Sequence, residues 1–174
     1  MAITREELLV QSEAFDLNEA DIQRRFWKEL KGERTIMLGL PGVHDPQPMT
    51  TLLEGDEGGP LWIFTARDNA LVADLAGSDR ALATFTGRKH DLFATLAGSL
   101  RLDNDRAVIE RLWNPWVAAW FEGGKDDPRL ALLRFDPDHA KVWLNATGVG
   151  AAIEWLFGRD PKQSYKEKVA EVSL

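Results

Sequence analysis

Ala81-Leu82-Ala83-Thr84-Phe85-Thr86, then Gly87-Arg88-Lys89-His90-Asp91, then Leu92 through Leu102: this stretch decides the fold. It reads as two strands joined by a short polar turn, a β-hairpin. Gly98, inside the longer strand, marks a bulge or a sharp bend. Working upstream, Leu61-Trp62-Ile63-Phe64-Thr65 is a short aromatic and β-branched strand, followed by a short helix over Asn69 to Leu75. Thr35 to Leu40 reads as a strand stopped by Pro41-Gly42, and Gln47 to Leu53 as another. The turn-rich run Glu54 to Pro60 joins the second of these to Leu61. Before them, Ile22, Phe26 and Leu30 recur at helical spacing with Trp27 beside them. Asp16 or Asn18 can cap that helix, and Lys31-Gly32 provides its basic last turn and left-handed stop.

Downstream, Asp103-Asn104-Asp105 caps a helix whose face carries Ile109, Leu112, Trp113, Trp116 and Trp120, with Pro115 breaking or kinking it. Glu122 to Pro128 is a loop. Arg129 to Phe135 and Ala140 to Leu144 are expected as a final strand pair around Asp136-Pro137-Asp138, with a helix near Gly150 to Phe157 after them. The strands are mostly joined by turns rather than by long helices. That pattern disfavours a parallel βαβ sheet and favours an antiparallel barrel with helices packed outside. The expected division is an N-terminal arm over 1–17, a main domain over 18–157 and a polar tail over 158–174 that frays.

Composition narrows the function. The chain has 174 residues, 44% hydrophobic, with 21 Lys plus Arg against 28 Asp plus Glu, a formal charge of −7. This length supports one domain with a real core. The acidic balance argues against a broad nucleic-acid or anionic-membrane footprint. No cysteine is present, so disulfides, thiolate metal sites and cysteine nucleophiles are excluded. No apolar run approaches a membrane span, and the first residues have neither the cationic start nor the apolar block of a signal peptide. A cytoplasmic protein is expected.

Familiar catalytic patterns fail on inspection. Gly148-Val149-Gly150-Ala151-Ala152-Ile153 places Ile where a dinucleotide fingerprint needs a small residue. Gly123-Gly124-Lys125 is followed by Asp126, where a phosphate loop needs Ser or Thr. His44, His90 and His139 lack metal-ligand spacing and read as solvated histidines. Asp126-Asp127 could serve as an acid–base pair, but adjacent loop carboxylates better suit capping or salt bridging. No serine sits in a nucleophile elbow. The Trp113, Trp116 and Trp120 series fits core, a dimer interface, a docking surface for another protein, or a wall for a flat aromatic ligand.

Several stretches together resemble a known family. They are Met37-Leu38, Pro48-Met49, Leu61 to Asp68, Gly98 with Asp105-Arg106, Leu112-Trp113 and, most distinctively, Trp120-Phe121-Glu122-Gly123-Gly124-Lys125-Asp126-Asp127-Pro128. From about Asn18 to Leu144 the chain resembles the bacterial general stress proteins of the pyridoxamine 5'-phosphate oxidase-like group, which have an FMN-binding split barrel. The resemblance implies a mainly β, α+β fold: a six-stranded antiparallel split barrel with flanking helices. It also implies a homodimer with flavin in a cleft between subunits. It maps cofactor-binding positions onto Gln47, Met49, Thr50, Thr51, Phe64, Thr65, Ala66, Leu71 and Trp120, with Phe121 near the ring system.

Two of these positions depart from the family pattern. Gln47 stands where members carry a phosphate-binding arginine, and Leu71 where they carry a lysine. Losing both charge-assisted bonds costs roughly 2–5 kcal/mol, about two to three decades in affinity. FMN loosely held is therefore the expectation, with Arg67, Arg88 or Lys89 as candidate compensating cations. A flavin-less member acting through binding or assembly is the alternative. No residue suits a general base for a substrate amine, and fold does not transfer activity, so vitamin B6 oxidation does not follow.

Overall fold

The computed structural model describes residues 19–144 and 169–174. Helix α1 (Glu19–Glu33) forms where the 3.6-residue stripe was read, and Ile22, Phe26, Trp27 and Leu30 are all buried. The helix does not stop at Gly32. It continues to Glu33, and Arg34, at φ 63°, takes the left-handed position, its N–H bonded to the Leu30 carbonyl at 2.8 Å. The expected cap residues Asp16 and Asn18 lie outside the described residues.

Strands β1 (Thr35–Leu40) and β2 (His44–Thr50) form a hairpin, then β3 (Leu61–Ala66) leads through α2 (Ala70–Asp74) to β4 (Arg80–Thr86) and β5 (Leu92–Leu102). The second strand was expected at Gln47 to Leu53 but begins at His44, because tight turning at Pro41 to Val43 starts the ladder at Leu40 opposite His44. Pro46 and Pro48 are tolerated because β2 is an edge strand. His44, expected to be solvated, instead pairs its Nδ1 with Asp74 Oδ2 at 2.7 Å and ties β2 to α2. Helices α3 (Arg106–Leu112) and α4 (Pro115–Ala118) precede β6 (Leu130–Leu144), and β7 (Val169–Ser173) completes the described residues.

The sheet is antiparallel and open, in the order β2-β1-β4-β5-β6-β3, with β7 also on β6. A single bridge between Leu52 and Trp62 links the residues after β2 to β3 at the other edge. This is the mainly β, α+β arrangement expected, with one strand more. β7 is also a correction: the expected fraying tail contains a strand, and Val172 is buried in the core. The expected boundaries at 17/18 and 157/158, the helix near Gly150 to Phe157 and the Gly148 run all lie outside the described residues.

The expected strand pair around Asp136-Pro137-Asp138 is one fifteen-residue strand, β6. Its register against β5 shifts between Ala97 and Gly98, the bulge anticipated at Gly98. A Cβ there would lie 2.1 Å from the Asp136 carbonyl oxygen and 2.7 Å from Pro137 Cα, so only glycine permits this approach. Below the bulge β6 pairs with β3 from Leu130 to Phe135, and beyond it the same edge pairs with β7 from His139 to Trp143.

Alternation along β3 divides the interior. Leu61 and Ile63 join the main core, with α1 and the rest of the sheet. Trp62 and Phe64 face the other way, into a second cluster with Val108, Ile109, Phe121 and Leu132. Phe26 anchors the first cluster, edge-on to Trp27 at 5.1 Å and to Phe85 at 6.0 Å. The second cluster seats α3 and α4 on the outer face of β3 and β6, and the cleft opens there.

Candidate functional site

A cleft of about 790 Å³ lies between the end of β2, the end of β3 and the α4 segment. That volume falls in the range of small-molecule sites. Met49, Thr50, Phe64, Thr65, Ala66 and Trp120, all anticipated from sequence, line it together. Arg34, Pro48, Leu52, Asn114, Trp116, Val117, Phe121 and Arg129 complete the wall. Among the described residues no His, Lys, Asp or Glu lines it.

The aromatic wall is set by Pro115. Helix α3 ends at Leu112, Trp113 is extended, and the Asn114 side chain caps α4 by accepting from the N–H groups of Trp116 (3.0 Å) and Val117 (3.1 Å). The break separates the tryptophans that an unbroken helix would have held on one face. Trp113 turns inward, edge-on to Phe64 at 6.0 Å and 6.2 Å from Phe121. Trp116 and Trp120 stand at the rim, 81% and 80% exposed.

The loop after Trp120 is folded by Asp127, only 7% exposed. Its carboxylate accepts from the N–H of Gly123 (3.1 Å), the N–H of Arg129 (2.9 Å) and the Arg129 guanidinium (3.1 and 3.3 Å). These bonds, the Arg129 guanidinium foremost, pull the Asp127 pKa down to about 2. A Cβ on Gly123 would sit 2.9 Å from Asp127 Cα, so the turn is too tight for a side chain. Asp126 points elsewhere, to Arg106 at 2.6 Å. The two carboxylates diverge, as capping and salt bridging require, and do not converge on one reacting atom.

The remaining anticipated residues stand behind the wall. Gln47 donates to Asn69 Oδ1 at 3.0 Å, and Asn69 Nδ2 donates to Thr65 Oγ1 at 3.2 Å, so Gln47 reaches the cleft only through Asn69 and Thr65. Thr51 is fully buried, and its N–H (2.7 Å) and hydroxyl (2.9 Å) both donate to the Arg34 carbonyl. Leu71 is fully buried in the main core. None of these three lines the cleft, and neither do Arg67, Arg88 or Lys89. Arg88 is paired with Glu33.

Two cations do line it. Arg129 is neutralised by Asp127. Arg34 has no carboxylate partner among the described residues; its Nε makes one long contact, 3.4 Å, with the Lys31 carbonyl. Sequence reading missed both. The signal for Arg129 was its place one residue beyond the distinctive Asp127-Pro128.

The wall therefore combines flat apolar surface, two hydroxyls and an uncompensated guanidinium. A planar aromatic ring carrying a polar, anionic tail fits that donor set. Similar proteins place the chain. Structures are known of the general stress FMN/FAD binding protein of Xanthomonas citri (55% identity, 75% of this chain and 93% of that one, TM-score 0.71) and of a general stress protein 26 from Jannaschia sp. CCS1 (26% identity, 90% and 100%, TM-score 0.71). General stress protein 26 of Bacillus subtilis (strain 168) is 30% identical over 56 residues, 32% of this chain and 39% of that relative, so the match spans well under half of its length. The family model described as pyridoxamine 5'-phosphate oxidase like matches residues 21–159, a span that takes in the hairpin, the bulged β6 and every residue of the cleft wall, and the chain belongs to that family.

Proposed function

We propose that the protein binds FMN in this cleft and acts, as a homodimer, in a redox-linked stress response. One observation carries the reading. Met49, Thr50, Phe64, Thr65, Ala66 and Trp120, which the family resemblance singled out along the chain, converge on one cleft of suitable size. Phe64, Leu52, Phe121 and Trp120 offer apolar surface to the ring and exclude water from it. Thr65 Oγ1 already accepts from Asn69, which leaves its hydrogen to donate to a ligand oxygen. When bound, flavin supplies electron and hydride transfer. The absence of a carboxylate, His or Lys in the described wall leaves this chain the tasks of holding and shielding.

The relatives' descriptions as general stress proteins support the stress role. Trp116 and Trp120, both four-fifths exposed at the open side of the cleft, support a second copy covering them. Titrating FMN into the full chain should quench Trp fluorescence. Folded protein that shows no quenching at high micromolar FMN overturns the proposal. Sedimentation should give the mass of two chains; a monomer removes the dimer. A flavin-less cleft with another ligand is the second reading, favoured by the burial of Leu71 and the tie of Gln47 to Asn69.

A further inference from the structure

Arg34 is an unusual residue where it stands. It follows α1 at φ 63°, a position where glycine or asparagine is the ordinary helix terminator. A branched-off Cβ makes this conformation unfavourable for arginine. Residues held in such conformations cluster at functional sites. The surrounding backbone keeps it there: its N–H is bonded to Leu30, and its carbonyl accepts twice from Thr51.

Its charge is also unspent. Most arginines and lysines among the described residues sit in ion pairs; Lys28, Arg34, Arg67 and Lys89 do not. Of these four, Arg34 alone lines the cleft. The other cleft arginine, Arg129, is matched by Asp127. The cleft thus has one end with a net positive charge, where α1 meets the β1–β2 hairpin.

We propose that Arg34 is the anion-binding residue of the cleft and holds the ligand's phosphate at the α1–β1 corner, away from the β2–α2 corner where Gln47 and Leu71 stand. The inference rests on the flavin reading, and adds to it that a phosphate is recognised in spite of those two replacements. A guanidinium donates two parallel bonds to phosphate oxygens, which gives orientation as well as affinity.

The test uses the full chain with FMN and with riboflavin, which carries the same ring without the phosphate. Dissociation constants come from fluorescence quenching at fixed ionic strength. Wild type should bind FMN about ten- to a hundredfold more tightly than riboflavin. Arg34→Gly should abolish that preference and leave riboflavin affinity unchanged. This variant suits its backbone position, so it should melt no lower than wild type. Arg34→Lys should retain part of the preference, and Lys28→Gln, an equal loss of charge on α1 itself, all of it. A preference that survives Arg34→Gly, or none in wild type, overturns the assignment while leaving flavin binding intact. Failure of both flavins to bind wild type removes the flavin reading and this inference with it.

Discussion

Asn69 holds the corner where the cleft meets α2, and its removal should show how far that corner matters. Its Oδ1 accepts from Leu71 N–H at 2.9 Å and from Gln47 Nε2 at 3.0 Å, and its Nδ2 donates to Thr65 at 3.2 Å. Asn69→Ala removes the cap, worth about 1 kcal/mol (range about 0.5–2). It also leaves the half-buried Gln47 amide without its partner, a further ~1 kcal/mol. The bonds share one residue, so the two losses need not add. A net loss of about 1.5–2.5 kcal/mol corresponds to roughly 3–10 °C in melting temperature for a domain of this size. Asn69→Asp separates the parts: it keeps the acceptor oxygens for Leu71 and Gln47 but loses the amide donor to Thr65. Melting should then stay within a few degrees of wild type, while FMN affinity falls, because a carboxylate now stands beside Thr65. Thermal denaturation by circular dichroism reads the first effect and fluorescence titration the second. Equal melting of Asn69→Ala and wild type would show that the α2 cap and the Gln47 tether carry no stability.

Three other substitutions probe separate features. Gly98→Ala drives a Cβ to 2.1 Å from the Asp136 carbonyl and should cost at least about 1–3 kcal/mol in chemical denaturation; an unchanged midpoint refutes the bulge. Leu71→Lys, the replacement the family pattern invites, puts an ammonium into a fully buried core position, so it should lower the melting temperature steeply rather than tighten FMN. Asp127 has its folded pKa depressed to about 2 from an ordinary 3.8, so the stability it contributes is present above pH 4 and is lost as pH falls from about 4 towards 2. Asp127→Asn should remove that part of the acid sensitivity, seen as a smaller wild-type advantage at pH 2.5 than at pH 6; a constant advantage refutes it.

How much of this was legible in the sequence follows from the range of the interactions. The stripe Ile22, Phe26, Leu30 and the strand Leu61 to Thr65 reveal themselves because period and β-propensity are local, and burial in the main core follows from them. Gly98 was legible as a bulge because a glycine inside a strand has few other uses. Asp136-Pro137-Asp138 was misread because the residues that keep it in the ladder are distant. Asp138 is held by Arg80, 58 residues away, and Asp136 by Arg101, 35 away, as well as by its neighbour Arg134. Local turn chemistry was overridden by pairing along the whole of β5. The helical spacing of Trp113, Trp116 and Trp120 does not survive as one face because the break expected at Pro115 occurs: Asn114 caps a new helix there, a local event that cancels the longer periodicity.

The cleft shows the same division, and a small boundary shift decides its charge. Its apolar wall could be named from sequence because the aromatic residues and the resemblance that carries them are contiguous runs. Its cation could not, because Lys31-Gly32 already supplies a complete helix ending, which leaves Arg34 as an ordinary residue of the link before the strand that starts at Thr35. The helix instead runs to Glu33, and the residue that must turn left-handed becomes Arg34. That turn is fixed only when Thr51, 17 residues on, donates twice to the Arg34 carbonyl, a contact that exists once β1 and β2 have paired. The placement of Arg34 in one cleft wall with Thr50 and Met49 is therefore a property of the hairpin and the helix end together. A substitution that shortened α1 to end at Gly32 should weaken FMN binding without touching any residue of the cleft wall.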